Sequence, residues 1–102
     1  MSVDIDIKID ETIKKVVKEP GKYNVVMLND EVTPMEWVID ILKTIFKHSD
    51  QTAEYLTMTI HNDGSAVVGT YLYEIAEQKA VETTTLSRNQ GFPLTVRVDA
   101  DK

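Results

Sequence analysis

The chain has 102 residues, with 17 acidic and 11 basic side chains and a formal net charge of −6. One domain is expected at this length, and an acidic body argues against nucleic-acid binding, which depends on a basic surface. The sequence has no cysteine, which excludes disulfides, thiolate catalysis and cysteine metal sites and fits a reducing compartment. No apolar run approaches the roughly 20 residues that cross a bilayer, and the N-terminus lacks the pattern of a signal peptide. We therefore expect a cytoplasmic protein without membrane association.

Residues 1–21 are expected to form a flexible N-terminal extension to a folded core over residues 22–102. Two periodicities conflict within this segment, because apolar residues first alternate with charged ones, as in a strand, and then follow helical spacing. The apolar residues are Val3, Ile5, Ile7 and Ile9 in the first pattern and Ile13, Val16 and Val17 in the second. Pro20-Gly21 then interrupts regular structure and ends the segment.

The first strand and the first helix of the core follow from composition and capping signals. Residues 23–28 are rich in β-forming side chains and predict a strand. Thr33 is a suitable N-cap, Pro34 suits the first helical position, and Glu36 completes a capping box. Apolar residues then recur at helical spacing, and the helix should end near His48. These apolar residues are Met35, Val38, Ile39, Leu42, Ile45 and Phe46.

The rest of the core continues with helical and strand patterns. Ser49 is an N-cap for a second helix that should end in a turn at residues 62–64, and residues 65–71 predict the second strand. A third helix is expected to end before Gly91. Apolar residues alternate with polar ones over residues 94–99 and predict the last strand. The order β-α-α-β-α-β predicts an α+β domain with a three-stranded antiparallel sheet packed on helices.

The junction between the first strand and the first helix holds the most informative motif, N-D-E-V-T-P-M-E at residues 29–36. Its polar side chains lie beside an apolar helix face, and His61 follows Thr57 by one turn of the next helix. Two interpretations stay open on these residues alone. Asp30 and Glu31 either serve the turn and the helix dipole, or they belong to a small polar binding site.

Four motifs in order resemble the ClpS family, the adaptor proteins of the Clp ATP-dependent protease. They are N-D-E-V-T-P-M-E, the later I-H at residues 60–61, G-x-Y-x-Y-E-I-A-E-x-K from residue 69 and N-x-G-x-P-L from residue 89. The similarity runs from about Tyr23 to Val98. It implies the same β-α-α-β-α-β fold, which the family shares with the C-terminal domain of a ribosomal stalk protein, and a protein that is not an enzyme.

Members of this family bind substrates that begin with a destabilising residue (Leu, Phe, Tyr or Trp) and deliver them to a Clp unfoldase. The resemblance implies that Asn29, Asp30 and His61 hold the α-amino group of the substrate. The residues that it implies for the hydrophobic side-chain pocket are Thr33, Met35, Val38, Thr57, Ile60 and Leu94.

The resemblance also implies a partner and a cellular setting. Glu74 and Lys79 match positions that dock on the N-domain of a ClpA-type or ClpC-type unfoldase. Residues 1–21 match the extension that family members use during delivery. The protein is expected to be a monomer without a cofactor or a metal, located in the cytoplasm or in a plastid stroma.

Three positions depart from the family pattern. Glu31 stands where Asp is common, which keeps the charge but lengthens the side chain. Thr57 stands where a methionine often lines the pocket, and the smaller wall should favour aromatic first residues over Leu. Phe92 stands where His is common before Pro-Leu, and the sequence offers no functional explanation for it.

Two other functions remain as alternatives. One is a metal or acid–base site formed by Asp30, Glu31, His61 and Asp63. The sequence has only two histidines, however, and lacks the familiar hydrolase and nucleotide-binding motifs. A stalk-like structural domain without amine recognition has the same fold order, and fold alone does not decide function. A peptide with a free Phe N-terminus, compared with its acetylated form, distinguishes the adaptor from the structural domain.

Overall fold

The computed structural model describes residues 21–101 of the chain. The elements are, in chain order, strand β1 (Lys22–Leu28), helix α1 (Met35–Thr44), helix α2 (Asp50–Asp63), strand β2 (Ser65–Tyr71), helix α3 (Tyr73–Asn89) and strand β3 (Thr95–Asp101). The expected β-α-α-β-α-β order of an α+β domain is confirmed. The extension expected over residues 1–21 lies outside the described residues except for Gly21.

The three strands form one antiparallel sheet in the order β2-β1-β3. The central strand is β1, and its residues 25–27 are all buried. At the end of β1, Leu28 pairs with Ser65 and with Thr95, which are the first residues of β2 and β3. The chain that follows β1 therefore emerges beside the beginnings of both neighbouring strands.

The helices cover the sheet and enclose one hydrophobic core. Helix α3 packs on all three strands, α1 packs on α2, and α2 packs on β2. The buried core residues are Val25, Met27, Val38, Ile41, Leu42, Ile45, Phe46, Ala53, Ile60, Val68, Ala76 and Leu94. Burial of each large apolar side chain contributes roughly 1.5–3 kcal/mol, so this core fixes the relative positions of the helix ends. Over residues 21–101, no helix is long and apolar enough to cross a membrane.

The prediction of a capping box at the start of α1 is wrong. The helix begins at Met35, and Pro34 occupies the N-cap position with φ −67° and ψ 146° and without a side-chain cap. Thr33 lies one residue before the N-cap position, and its hydroxyl donates to Asp30 Oδ2 at 2.7 Å. Backbone bonds close the first turn instead, including one from the Trp37 N–H to the Pro34 carbonyl oxygen at 3.1 Å.

Helix α1 also ends earlier than expected, at Thr44 rather than near His48. Lys47 adopts a left-handed conformation with φ 62°, and a right-handed helix cannot continue through such a residue. The chain turns back at this point, and the His48 ring donates through Nε2 to the Val68 carbonyl oxygen at 2.6 Å. This bond ties the end of α1 to strand β2.

The remaining boundaries lie close to the expected ones. Ser49 caps α2, as predicted, and its side chain accepts a backbone N–H from the first turn. Residues 62–63 belong to the last turn of α2 rather than to a separate turn, because the helix ends at Gly64 with φ 94°. Strand β2 spans the predicted residues, α3 ends before Gly91, and β3 begins immediately after Leu94.

Candidate functional site

A small cavity lies where the end of β1, the start of α1, the end of α2 and the loop before β3 meet. It is narrow: about 10 Å³ is open to a water molecule, within a hollow of about 170 Å³ that includes open solvent. The lining residues are Leu28, Asn29, Asp30, Thr33, Val38, Ile60 and Leu94. The structure thus brings together most of the residues that the sequence assigns to amine and side-chain binding.

The floor of the cavity is apolar. Val38 from α1, Ile60 from α2 and Leu94 from the loop before β3 are 6%, 3% and 1% exposed. Leu28 from the end of β1 is half-buried beside them. Since each residue comes from a different element, the floor forms only when the domain folds. An apolar floor of this kind suits an aliphatic or aromatic side chain.

The polar rim of the cavity is organised by Asp30. Its Oδ1 accepts hydrogen bonds from the backbone N–H groups of Val32 at 2.8 Å and Thr33 at 2.7 Å. Its Oδ2 accepts a hydrogen bond from the Thr33 hydroxyl at 2.7 Å. The carboxylate therefore folds the loop between β1 and α1 and holds its own position at the cavity wall.

The same carboxylate keeps capacity for an additional donor. An ionised carboxylate has about four acceptor positions, and the three bonds from the loop occupy all but one of them. The remaining position lies on Oδ2 of Asp30. It can accept a hydrogen bond from a cationic group that enters the cavity.

The pKa of the Asp30 carboxyl lies below its ordinary value. Partial burial alone would raise this pKa, but the hydrogen bonds from Thr33 and Val32 outweigh the effect of burial. The positive charge of Arg88 lowers the pKa further. Asp30 is therefore negatively charged at neutral pH and places an anionic acceptor on the cavity rim.

Asn29 joins the rim to the end of helix α2. Its backbone N–H donates to the Gly64 carbonyl oxygen at 2.9 Å, and its exposed side chain offers an amide oxygen at the cavity edge. His61 directly follows the floor residue Ile60 in the last turn of α2 and is exposed. The bond between Asn29 and Gly64 thus holds the turn that carries His61 beside the polar rim.

Three residues that the sequence assigns to the site do not line the cavity itself: Met35, Thr57 and His61. Met35 is the first residue of α1 and is 38% exposed. Thr57 is buried, and its hydroxyl donates to the Ala53 carbonyl oxygen at 2.7 Å. Because that hydroxyl is bonded within its own helix, Thr57 contributes its methyl group to apolar packing.

Comparison with known proteins identifies the family. A model of the family described as "ATP-dependent Clp protease adaptor protein ClpS" matches residues 18–97 of the chain. The chain belongs to the ClpS family. The ClpS adapter protein of Treponema denticola is 42% identical over 81 residues, which cover 79% of this chain and 80% of the relative. ClpS 2 of Agrobacterium fabrum is 42% identical over 90 residues, which cover 88% of this chain and 87% of the relative.

A solved ClpS structure is also similar to this chain. It is the structure of Agrobacterium tumefaciens ClpS2 bound to L-phenylalaninamide, with a TM-score of 0.79 and 42% sequence identity. The match covers 81% of this chain and 100% of the other. The small domain with three helices and a three-stranded antiparallel sheet is therefore the ClpS fold.

Of the two residues that the ClpS resemblance assigns to unfoldase docking, Glu74 lies on an open surface. It is exposed in the first turn of α3. Large apolar side chains surround it in the chain, since Leu72, Tyr73 and Ile75 are 52%, 46% and 44% exposed. These four residues line a shallow depression. Exposed apolar area beside a charged group is typical of protein-binding surfaces.

Lys79, the other residue assigned to docking, is bound within the domain. Its Nζ donates to the Ile45 carbonyl oxygen at 2.8 Å. The same ammonium lies 5.3 Å from the ring centroid of Tyr71 and 5.9 Å from that of Phe46. Lys79 thus ties α3 to the end of α1, and it is half-buried.

Two residues next to the cavity are not predicted from the sequence. Leu28 lines it as the last residue of β1, and its position directly before Asn29 was the signal that could have identified it. Arg88, in the last turn of α3, donates through Nη1 to the carbonyl oxygens of Phe92 at 2.9 Å and Leu94 at 2.8 Å. No spacing rule indicates such contacts, because the accepting carbonyls lie in an irregular loop.

Proposed function

We propose that this ClpS-family chain holds the free α-amino group and the side chain of a hydrophobic first residue and presents the substrate to a Clp unfoldase. The observation that carries the proposal is that ionised Asp30 and an apolar floor share one small cavity. The similar Agrobacterium tumefaciens ClpS2 supports it, because its ligand L-phenylalaninamide has a free amine and an aromatic side chain.

The amine is held by three acceptors on the polar rim. A free α-amino group has a pKa of roughly 8, so it is mostly cationic at neutral pH and offers three donors. We assign its partners as the Asn29 amide oxygen, the Asp30 carboxylate and one ring nitrogen of His61. Each hydrogen bond to a charged group contributes roughly 1.5–3 kcal/mol. An acetylated or internal amide lacks the cation and two of the donors, so it is rejected.

The side chain of the first residue occupies the apolar floor. The residues that we assign to this pocket are Thr33, Met35, Val38, Thr57, Ile60 and Leu94. Burial of a Leu or Phe side chain contributes roughly 1.5–3 kcal/mol. After the cost of association is subtracted, these gains correspond to roughly micromolar affinity at best. Such affinity suits an adaptor, which must release its cargo.

The substrates that fit this pocket begin with Leu, Phe, Tyr or Trp. Thr57 lies buried in α2, three residues before the floor residue Ile60, and is smaller than the methionine common in the family, which leaves more room behind the floor. We therefore infer that aromatic first residues bind relatively better than Leu.

Delivery depends on a second surface and on the N-terminal segment. We assign Glu74, with the exposed apolar side chains around it, to docking on the N-domain of a ClpA-type or ClpC-type unfoldase. Lys79 contributes to the same contact from its half-buried position. Residues 1–21 act during transfer of the substrate. In this role the protein works as a monomer in the cytoplasm or in a plastid stroma, and it has no catalytic activity of its own.

The proposal is tested with labelled peptides that differ in the first residue alone. Fluorescence anisotropy should show binding of Phe-initiated and Leu-initiated peptides and none of an Ala-initiated peptide. With a Clp unfoldase and its protease, the chain should also accelerate degradation of a reporter that begins with Phe. Equal affinity for all three peptides would contradict the proposal. Binding of none of them would favour a stalk-like structural domain.

A further inference from the structure

The loop that carries Leu94 lies outside the sheet, so its position depends on contacts other than strand pairing. Leu94 is 1% exposed and contributes to the cavity floor, but β3 begins only at Thr95. The preceding residue is Pro93, which has no backbone N–H to donate. Whatever fixes this loop therefore also fixes one wall of the cavity.

Backbone contacts fold the loop back onto the last turn of α3. The Phe92 N–H donates to the Ser87 carbonyl oxygen at 2.9 Å, and the Gly91 N–H donates to the Arg88 carbonyl oxygen at 2.9 Å. Gly91 has φ 81°, a conformation that glycine adopts without strain. Together with the bonds from Arg88 to the carbonyls on both sides of Pro93, these contacts hold the loop at both ends.

A side-chain cluster then ties this loop to helix α1. The Phe92 ring packs edge-on against Trp37, with ring centroids 5.4 Å apart and an interplanar angle of 61°. Trp37 Nε1 donates to Ser87 Oγ at 2.9 Å, and Ser87 is fully buried. Ser87 thus contacts Trp37 through its hydroxyl and Phe92 through its carbonyl oxygen.

The cluster is adjacent in the chain to two floor residues without lining the cavity. Trp37 directly precedes Val38, and Phe92 precedes Leu94 by two residues. The contact between Phe92 and Trp37 therefore joins the two segments that carry Leu94 and Val38, which both line the floor.

We propose that Trp37, Ser87 and Phe92 form a positioning cluster that fixes Leu94 against Val38 and thereby sets which first side chain the pocket prefers. This inference rests on the proposed function, because it concerns the same pocket. The three residues are positioning residues, since none of them lines the cavity. The cluster also gives Phe92 a role that its sequence position did not indicate.

The test is the ratio of dissociation constants for Leu-initiated and Phe-initiated peptides. Phe92→Ala should weaken both peptides by about tenfold at most, because binding must then also order a loosened floor, and that cost is bounded by the edge-to-face pair lost from the free chain. Because a mobile floor discriminates less, the Leu-to-Phe ratio should also move toward one. Phe92→Tyr keeps the ring edge and should restore the wild-type ratio.

Tyr23→Ala is the matched control. It removes a second edge-to-face pair, between Tyr23 and Tyr73, whose ring centroids lie 5.0 Å apart at 68°. Tyr23 pairs with Ala100, at the opposite end of the sheet from the cavity. Tyr23→Ala should therefore leave the peptide ratio unchanged even where it lowers thermal stability. If Phe92→Ala does not fold, Trp37→Phe serves instead, because it keeps a ring but loses the donor to Ser87; it should move the ratio in the same direction.

Each outcome decides the inference. A wild-type ratio in Phe92→Ala, or in Trp37→Phe where that replaces it, would overturn the positioning role, as would an equal change of ratio in Tyr23→Ala. A wild-type chain that binds neither peptide would instead contradict the proposed function. The wild-type measurement alone therefore shows whether the positioning role or the proposed peptide binding is wrong.

Discussion

Neutralising Asp30 should separate its structural role from its role in binding. In Asp30→Asn the amide oxygen can replace Oδ1 and keep the bonds from the N–H groups of Val32 and Thr33, which are 2.8 and 2.7 Å long. The amide nitrogen then takes the place of Oδ2, and the Thr33 hydroxyl can turn to accept from it. The loop should therefore keep its shape, and the free energy of unfolding at neutral pH should fall only by the part of these bonds that depends on the charge.

The effect on binding should be much larger. The one acceptor position that the loop leaves unused on Oδ2 becomes an N–H donor, which repels the substrate ammonium. Loss of one charge-assisted hydrogen bond costs roughly 1.5–3 kcal/mol, which corresponds to about 10-fold to 150-fold in the dissociation constant. Calorimetric titration with a Phe-initiated peptide at neutral pH measures this loss, and urea unfolding of the same sample measures stability.

Asp40→Asn is the control for charge alone. Asp40 is an exposed carboxylate on α1 that does not line the cavity, so its neutralisation changes the net charge equally. It should leave peptide affinity within about twofold of wild type, because exposed charges at a distance are screened by salt. Affinity of Asp30→Asn within that same range, with stability preserved, would show that Asp30 does not hold the amine.

Three further outcomes are expected. Thr57→Met should narrow the pocket and shift the Leu-to-Phe affinity ratio in favour of Leu, and an unchanged ratio in paired titrations would refute that reasoning. His61→Ala removes one proposed acceptor and should weaken binding of a Phe-initiated peptide by about 10-fold or more, the loss expected for one hydrogen bond to a charged group, and an affinity within about twofold of wild type would refute this role. Despite partial burial, hydrogen bonds from the loop lower the pKa of Asp30 in the folded chain. The ionised carboxylate therefore contributes to stability above the ordinary carboxyl pKa of about 3.9, and this contribution is lost as the pH falls through the folded pKa. The difference in unfolding free energy between wild type and Asp30→Ala should therefore shrink below about pH 3.9, whereas a difference that stays constant on acidification would count against this linkage.

The order of elements could be predicted because local signals and the fold agree. Strand β2 spans the predicted residues, and Ser49 caps α2 as expected. The start of α1 could not be predicted from its capping signals. Thr33 suits an N-cap by its sequence, but the helix starts one residue later than such a cap requires, and the Thr33 hydroxyl bonds Asp30. The three-residue spacing between Asp30 and Thr33 allows a local turn that competes with the cap.

The cavity, too, could be predicted from the sequence only in part. Its polar and apolar members could be named because they occur in motifs, and the structure brings Asp30, Val38 and Leu94 to one place. The contact between Trp37 and Ser87 joins residues that are 50 positions apart, and no periodicity or motif connects them. Contacts of this kind form only when folding brings parts of α1 and α3 together, so they require the folded structure.

One pair of ligands on the wild-type chain tests recognition of the α-amino group most directly. Calorimetry at neutral pH should show roughly micromolar binding of a peptide with a free Phe N-terminus. The same peptide, acetylated at its N-terminus, should bind at least about 100-fold more weakly, because it loses the cation that the Asp30 rim accepts. Equal affinity for the two peptides would contradict recognition of the α-amino group.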